Sequence, residues 1–312
     1  MSSLLVVGSI AYDSIKTPLG EVSSTLGGSA VYFSLAAGLF HPVRLVGVVG
    51  EDFSQEDVEL LRGRNIDARG IERVPGGRTF RWSGEYSADM NSRQTLSVEL
   101  NVFEDFQPKI PESFRDSKFV FLANGSPVTQ MSVLEQVNKP HFVMADTMDL
   151  WIQTQQADLL KLLKGIDGLV VNDSEAILLT DCHNVLGAGK KILDLGPSRV
   201  VIKKGEHGAL LFDRDEVIPL PAYPVLAVRD PTGAGDSFAG ALMGYLARNA
   251  RHPGSSEREK DLVSQRLFKK AIGYGTVAAS FTVEDFGVKR IAEVSEAEAH
   301  ERFEKFREYL SL

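Results

Sequence analysis

Short apolar runs rich in β-branched residues recur along the chain at residues 4–8, 43–49, 118–122, 141–145, 168–171, 200–203 and 209–212. Several lack the polar–apolar alternation of a half-exposed strand, as befits strands covered on both faces. Between them lie stretches with helical spacing, at residues 28–38, 55–64, 128–137, 151–163, 174–180, 184–194, 235–249 and 260–279. Strands alternating with helices predict an α/β fold: a three-layer, doubly wound, mostly parallel sheet with helices on both faces.

One region departs from that pattern. Residues 78–101 alternate polar and apolar positions, through Phe80, Trp82, Gly84 and Tyr86 and then over 95–100, which is the period of a hairpin. A second irregular stretch, residues 13–26, precedes the first helix. Together they predict a small β-sheet lid over the edge of the main sheet, in segments of about 13–26 and 75–102; the other reading is a plain surface hairpin. Residues 251–259, rich in Pro, Gly, Ser and charge, read as an exposed loop. No internal repeat or low-complexity tract interrupts the chain, which reads as one domain over residues 1–312.

Composition narrows the class of partner. The 312 residues are 43% hydrophobic and 24% charged, with a formal net charge of −8, ordinary for a soluble globular protein with a large core. That balance argues against a nucleic acid or an anionic membrane surface as partner, yet leaves room for a local phosphate site. The single cysteine, Cys182, forms no intrachain disulfide and points to no oxidising compartment. The apolar run at residues 4–7 is too short for a signal sequence or a membrane span. The expectation is a cytoplasmic protein acting on a small molecule.

The strongest chemical signal is Asp230-Pro-Thr-Gly-Ala-Gly-Asp-Ser-Phe-Ala-Gly, which runs into an apolar helix. Pro231 cannot sit inside a helix, and Gly233 and Gly235 permit a tight turn. The first amides of the helix have no intrahelical acceptor and carry partial positive charge, so Gly233, Ala234 and Gly235 predict an anion site. Asp236 follows in the first turn. It is placed to take a proton from an attacking hydroxyl beside a held phosphoryl group, or it is simply a favourable first-turn acid.

That segment closely resembles the C-terminal signature of the ribokinase family, also called the PfkB carbohydrate kinases. The resemblance implies a ribokinase-like fold, ATP as phosphoryl donor, Mg²⁺, Asp236 as catalytic base and the amides of residues 233–235 as anion hole. Other segments agree in order and spacing. Gly8-Ser-Ile-Ala-Tyr-Asp13 and Leu26-Gly27-Gly28-Ser29-Ala30 are similar to the family's acceptor-binding segments, which implies substrate contacts at Asp13, Gly27 and Gly28. Read alone, Gly27 and Gly28 are also consistent with a simple turn. Asn172-Asp-Ser-Glu175 resembles an Asn-x-x-Glu motif that organises metal and phosphate, implying Asn172 at the nucleotide and Glu175 at the metal; without the resemblance it reads equally as a helix cap. Val201-Ile-Lys203-Lys-Gly205-Glu-His-Gly208 resembles the strand and turn bordering the nucleotide, which assigns Lys203, Gly205 and Gly208, with Thr232, to nucleotide binding. His207 reads as a solvated turn residue. Some members hold a monovalent cation near positions matching Asp230, Ala279 and Ser280, and in many the lid forms a homodimer contact.

Two readings from other classes compete. A dinucleotide-dependent oxidoreductase needs Gly-x-Gly-x-x-Gly after the first strand. That strand leads instead to Gly8-Ser-Ile-Ala-Tyr-Asp, and the late Gly233-Ala-Gly-Asp-Ser-Phe has Phe238 where the third glycine belongs. No Gly-x-x-x-x-Gly-Lys-Ser/Thr loop is present. A non-catalytic sugar or nucleotide sensor on the kinase fold is signalled by loss of the base, but Asp236 is present. Among acceptors, a free sugar or cyclitol ranks first, a nucleoside second, with Tyr12, Tyr32, Phe33 and Trp82 available to stack, and a sugar phosphate third, with Arg78, Arg81 and Arg93 near the lid.

Overall fold

The computed structural model describes residues 3–250 and 263–311. The loop read at 251–259, and the first three residues of the helix read at 260–279, lie outside the described residues. In chain order the strands are β1 (Leu4–Val7), β2 (Ala11–Thr17), β3 (Gly20–Gly27), β4 (Val43–Gly50), β5 (Ile66–Val74), β6 (Phe80–Tyr86), β7 (Arg93–Glu99), β8 (Phe119–Leu122), β9 (Phe142–Asp146), β10 (Gly168–Asn172), β11 (Arg199–Lys203), β12 (Ala209–Phe212) and β13 (Val217–Leu220). The helices are α1 (Ser29–Gly38), α2 (Gln55–Gly63), α3 (Pro127–Gln136), α4 (Asp149–Thr154), α5 (Gln156–Leu163), α6 (Asp173–Thr180), α7 (Val185–Asp194), α8 (Ala234–Asn249), α9 (Gln265–Thr282), α10 (Lys289–Glu293) and α11 (Glu296–Leu310).

The main sheet has the order β13-β12-β11-β10-β9-β8-β1-β4-β5. Pairing is parallel from β5 through β11 and antiparallel only at the β11–β12–β13 edge. Apolar side chains on the two faces enter two cores. One packs under α1, α8 and α9, the other under α3, α5, α6 and α7. This double coverage is why Leu4 to Val7 and Phe119 to Leu122 are buried at every position.

The chain leaves β1 toward β4 on one side and returns to β8 on the other, a reversal of strand order at β1. In doubly wound sheets ligands bind outside the carboxyl ends of the strands at such a reversal. Helix α8 is held close to this crevice by its packing on α1. A Cβ on Gly240 would lie 2.1 Å from the Phe33 carbonyl oxygen, so the two helix backbones touch where glycine leaves room. Phe33 in turn stacks on Phe121 of β8, with ring centroids 4.4 Å apart, which adds roughly 0.5–1.5 kcal/mol beyond area burial.

Both predicted lid segments enter one four-stranded sheet of order β3-β2-β6-β7. β2 pairs antiparallel with β3 and parallel with β6, and β6 pairs antiparallel with β7. Asp13 stands opposite Trp82, and Tyr86 opposite Arg93. Other elements differ from expectation. The helix expected over 151–163 breaks at Gln155, whose φ of −134° and ψ of 34° leave helical space and separate α4 from α5. β5, β13, α10 and α11 add to the predicted elements. Among the described residues no helix is long and apolar enough to cross a membrane.

Candidate active site

The turn before α8 is stapled from below by Asp230, a wholly buried carboxylate. Its Oδ1 accepts from the Thr232 amide at 2.8 Å, and its Oδ2 accepts from the Gly287 amide at 2.8 Å. The first bond shapes the turn locally, and the second locks it to the chain that follows α9. Gly233 then adopts φ 73° and ψ 0°, a left-handed conformation, and no side chain caps the helix. The Ala234 amide donates to the Pro231 carbonyl at 3.2 Å. The Gly235 and Asp236 amides find no backbone acceptor among the described residues. Of the amides expected at residues 233–235 to face an anion, that of Ala234 is turned into the turn itself, while that of Gly235, with the following Asp236, is left open.

Five strand and helix ends bring charged groups to this turn. Lys203 ends β11, and its Nζ lies 2.7 Å from where a Cβ on Gly235 would stand. Asn172 ends β10 in register with Lys203. The Asn172 Oδ1 accepts from the Glu175 amide at 2.8 Å, while the Asn172 amide donates to the Glu175 Oε2 at 2.7 Å. The capping reading of Asn172 to Glu175 thus holds as local structure. It also fixes the Glu175 carboxyl beside Lys203. Burial pushes that carboxyl up, and Lys203 and the Asn172 amide hold it down.

Asp236 faces the same cleft. Burial pushes its carboxyl up to about 6, Lys203 and Arg93 draw it down, and Glu175 pushes it up. Asp13, 4% exposed, sits across from it. Burial, followed by the charge of Asp230, pushes the Asp13 carboxyl to about 7, while the Gly28 amide holds it down. Only glycine fits at position 27, because a Cβ there would lie 2.0 Å from the Asp13 Oδ2. Thr232, also expected at the nucleotide, donates its hydroxyl to Tyr86 of the lid at 3.0 Å. Gly205 and Gly208 shape the turn after Lys203 with φ of 55° and 88°, and His207 is exposed there.

Three further residues belong to this cleft: Asp146, which the sequence did not mark, and Tyr32 and Arg93, which it offered only as contacts for a nucleoside or a sugar phosphate. Asp146 ends β9, the carboxylate that follows the apolar run at 141–145. It is buried, with Oδ1 lacking any hydrogen bond among the described residues. Burial and then the charge of Asp236 push it well above the usual carboxylate range, against Lys203. A carboxylate closing a parallel strand is the signal that marks it. Tyr32 of α1 lays its ring on Gly233, within 2.3 Å of a Cβ built there, and its buried hydroxyl has no partner among the described residues. Arg93 reaches in from the lid.

The carboxylates also bear on metal binding. Among the described residues no group of three or more His, Cys, Asp or Glu stands ready to cage an ion. The orphaned Asp146 Oδ1 and the Glu175 carboxyl beside it suit an ion of the Mg²⁺ type, which takes one or two carboxylates and completes its shell with phosphate and water. Each Asp230 oxygen accepts one amide hydrogen bond, which makes this residue, expected to border a monovalent cation, also a staple of the turn.

A cytidine kinase of Thermococcus kodakarensis is 30% identical over 258 residues, covering 80% of this chain and 90% of that protein. A nucleoside kinase of Burkholderia thailandensis, solved in complex with inosine, has the same fold with a TM-score of 0.77 at 20% identity, covering 97% of each chain. Arabidopsis thaliana ribokinase, complexed with ribose and ATP, gives a TM-score of 0.73 at 21% identity over 97% of this chain and 99% of its own. Residues 1–294 match the pfkB family of carbohydrate kinases, and with that match and the cytidine kinase relative the chain belongs to this family, as a carbohydrate or nucleoside kinase.

Proposed function

We propose that this kinase transfers the γ-phosphoryl group of ATP to a hydroxyl of a sugar ring, with Asp236 as general base and the open amides at the start of α8 as anion hole. One observation carries the reading. A carboxylate whose pKa burial raises to about 6 stands in the first turn of a helix with uncapped amides, and the Lys203 ammonium lies beside that turn. Asp236 accepts the hydroxyl proton as the new O–P bond forms. The bond from the γ-phosphorus to the β–γ bridging oxygen breaks, and ADP leaves with that electron pair. The amides of Gly235 and Asp236 and the Lys203 ammonium meet the charge on the phosphoryl oxygens. Asn172, Thr232, Gly205 and Gly208 border the rest of the nucleotide. Mg²⁺, when bound, neutralises phosphate charge; Glu175 and Asp146 are the side chains to hold it, directly or through water.

Asp13 is the acceptor clamp in this scheme, a buried carboxylate able to take hydrogen bonds from two hydroxyls. A second reading narrows the acceptor to a nucleoside. Trp82 stands opposite Asp13 in the lid register, with its indole laid along Gly84, where a Cβ would come within 2.3 Å of the ring. An aromatic plane beside a hydroxyl clamp fits a base attached to a ribose, and the cytidine kinase relative favours the same class. ATP consumption measured with Mg²⁺ against free sugars, cyclitols, nucleosides and sugar phosphates tests both readings. Turnover confined to nucleosides supports the second; turnover on free sugars alone rejects it; none on any class, with ATP bound, rejects the first.

The base sets a pH profile. Asp236 acts only when ionised, so kcat/KM of the free enzyme rises with pH through about 6, and ionisation of the Asp13 clamp near 7 extends the rise before it levels. A profile flat from pH 5 to 8 contradicts this.

Asp13 links function to stability. Its folded pKa, about 7, lies above the unfolded value of about 3.9. Its contribution to stability is therefore fully present below pH of about 4 and is lost as pH rises through 7. Asp13→Asn removes the charge that burial penalises. The ligand-free variant is expected to melt several degrees (~4 °C) above wild type at pH 8, with little difference at pH 4. The same change raises KM for the acceptor at least ~10-fold, because a charged hydrogen-bond acceptor is lost. An unchanged KM rejects Asp13 as the clamp.

A further inference from the structure

A concavity of about 610 Å³ lies apart from the cleft, against β4 and β5 at the edge of the main sheet. That volume is within the range of small-molecule sites. Its apolar lining is Val48, Val74, Val102 and Phe106. Val48 is 2% exposed yet belongs to neither of the two cores, and Val74 and Val102 pack against neither. The three valines line this concavity and not a core. Val48 stands opposite Glu72 in the β4–β5 register, so an acid adjoins the apolar floor.

Both roots of the β6–β7 hairpin form its wall. Gly76, Gly77 and Arg78 lead into β6, and Asn101 and Val102 lead out of β7. The two roots are joined to each other. The Val102 amide donates to the Arg78 carbonyl at 3.2 Å, and the Asn101 Nδ2 donates to the Thr79 carbonyl at 3.0 Å. A Cβ on Gly77 would lie 2.4 Å from the Val102 Cγ1. Asn101 takes φ 51°, left-handed space that residues other than glycine seldom occupy. From the floor, Phe106 stacks on Phe103 at 5.8 Å between centroids, and Phe103 on Phe80, the first residue of β6, at 5.4 Å. The same hairpin is closed over the cleft, with Tyr86 bonded to Thr232 at 3.0 Å and the Asn91 Nδ2 donating to the Glu206 Oε1 at 3.3 Å. A movement of the hairpin therefore moves the wall of the concavity.

The rim carries both signs of charge. Glu72 and Asp105 are acidic and Lys109 is basic, and none of the three has a hydrogen bond or ion pair among the described residues. Arg78, by contrast, pairs with Glu99 at 3.6 Å. A cationic ligand leaves Lys109 unanswered, and an anionic one is opposed by two carboxylates. A zwitterion answers both signs.

We propose that this concavity binds a small zwitterion with an apolar body, of the class of apolar and aromatic amino acids, and that its occupation holds the lid hairpin closed. The ammonium goes to Glu72 and Asp105, the carboxylate to Lys109, and the body onto the valines and Phe106. Such a ligand bridges β5 and both hairpin roots. It binds the closed arrangement better than an open one, and that difference in affinity shifts the lid.

The test uses the full chain and no acceptor, so it stands whether or not Asp236 is the base. Calorimetry with L-phenylalanine is expected to show binding in the millimolar range or tighter, undisturbed by MgADP. Phenethylamine and hydrocinnamate share its phenyl body and carry one charge each; they bind roughly three- to fivefold more weakly. Glu72→Gln and Lys109→Gln, both at exposed side chains, weaken L-phenylalanine binding on the same scale. At saturation L-phenylalanine slows hydrogen exchange of the β6 and β7 amides by about fivefold or more. The double variant loses that protection at the same ligand concentration.

Four results overturn the proposal. No binding of L-phenylalanine, L-tryptophan or L-leucine at millimolar concentration removes the site. Equal binding of the singly charged probes removes the zwitterion. Affinity unchanged in both variants, or lost on adding MgADP, places the probe elsewhere on the chain. Binding that leaves exchange of the β6 and β7 amides unchanged removes the hold on the lid.

Discussion

Asp236→Asn is expected to lower kcat by roughly two to four orders of magnitude, the contribution of a positioned general base, while the dissociation constant for MgATP changes little. The substitution keeps size and shape, so the turn, the open amides and Lys203 stay in place. It removes the group that takes the acceptor proton and, with it, a negative charge that burial penalises. Folding is thus not the reason for lost turnover, and the melting temperature of the ligand-free variant holds or rises. The pH dependence supplies a second check, because the limb near 6 disappears from whatever activity remains. Turnover within tenfold of wild type would falsify the mechanism and return Asp236 to the role of a helix first-turn acid.

Most of the main sheet was legible because its strands are covered on both faces and so read as uninterrupted apolar runs. β5 was not, since it lies at the sheet edge. Its burial alternates irregularly along Ile66 to Val74, with Ile66 and Gly70 buried and polar residues between. β13 carries Pro219, which is tolerated at an edge and argues against a strand elsewhere. α11 buries only Ala299, Phe303 and Phe306. That spacing is helical, but it is diluted by charge on the remaining faces, and the helix is announced chiefly by the Ser295–Glu298 capping box. The lid was readable from its period of two, although β2 and β3 showed only as an irregular stretch.

The site divides in the same way. Asp236, Lys203, Asn172, Glu175 and Asp13 sit in motifs whose residue types and spacing carry meaning along the chain. Asp146 acquires its meaning only from the fold, and Tyr32 and Arg93, readable in sequence only as candidate acceptor contacts, acquire their place beside the turn from it. Asp146 needs β9 to lie beside β10, Tyr32 needs α1 to pack on α8, and Arg93 needs the lid sheet to close over Thr232. Their assembly also explains the raised carboxyls. Asp13, Asp146, Glu175 and Asp236 share one cleft in which Lys203 and Arg93 are the cations that hold them down, and Asp230 beneath it is held down by the Gly287 and Thr232 hydrogen bonds. A cleft so rich in acid repels a bare nucleotide, so binding is expected to favour the metal complex, whose cation offsets carboxylate and phosphate charge together.

Gly233→Ala is expected to produce the second large loss. Gly233 has φ 73°, a conformation that costs an L-residue roughly 1–2 kcal/mol. The added Cβ would also stand 2.3 Å from the Tyr32 Cγ and 2.4 Å from both Cδ atoms. Tyr32 is 1% exposed and rests in the core beneath α1, so the ring has nowhere to go; overpacking of this kind costs about 1–3 kcal/mol. The turn must rotate or α8 must shift from α1, and either moves the open amides off the phosphoryl position, with kcat expected to fall ~10²-fold or more. Gly235→Ala separates the two effects. Its Cβ meets only the Lys203 Nζ, at 2.7 Å, the end of a flexible side chain that can swing aside. That variant should melt near the wild-type temperature while losing nucleotide affinity, as Lys203 is displaced. If Gly233→Ala instead keeps wild-type stability and turnover, the Tyr32 ring does not support the anion site. If both glycine variants lose stability equally, the turn is a folding element, and its catalytic use has to be sought in residues other than 233–236.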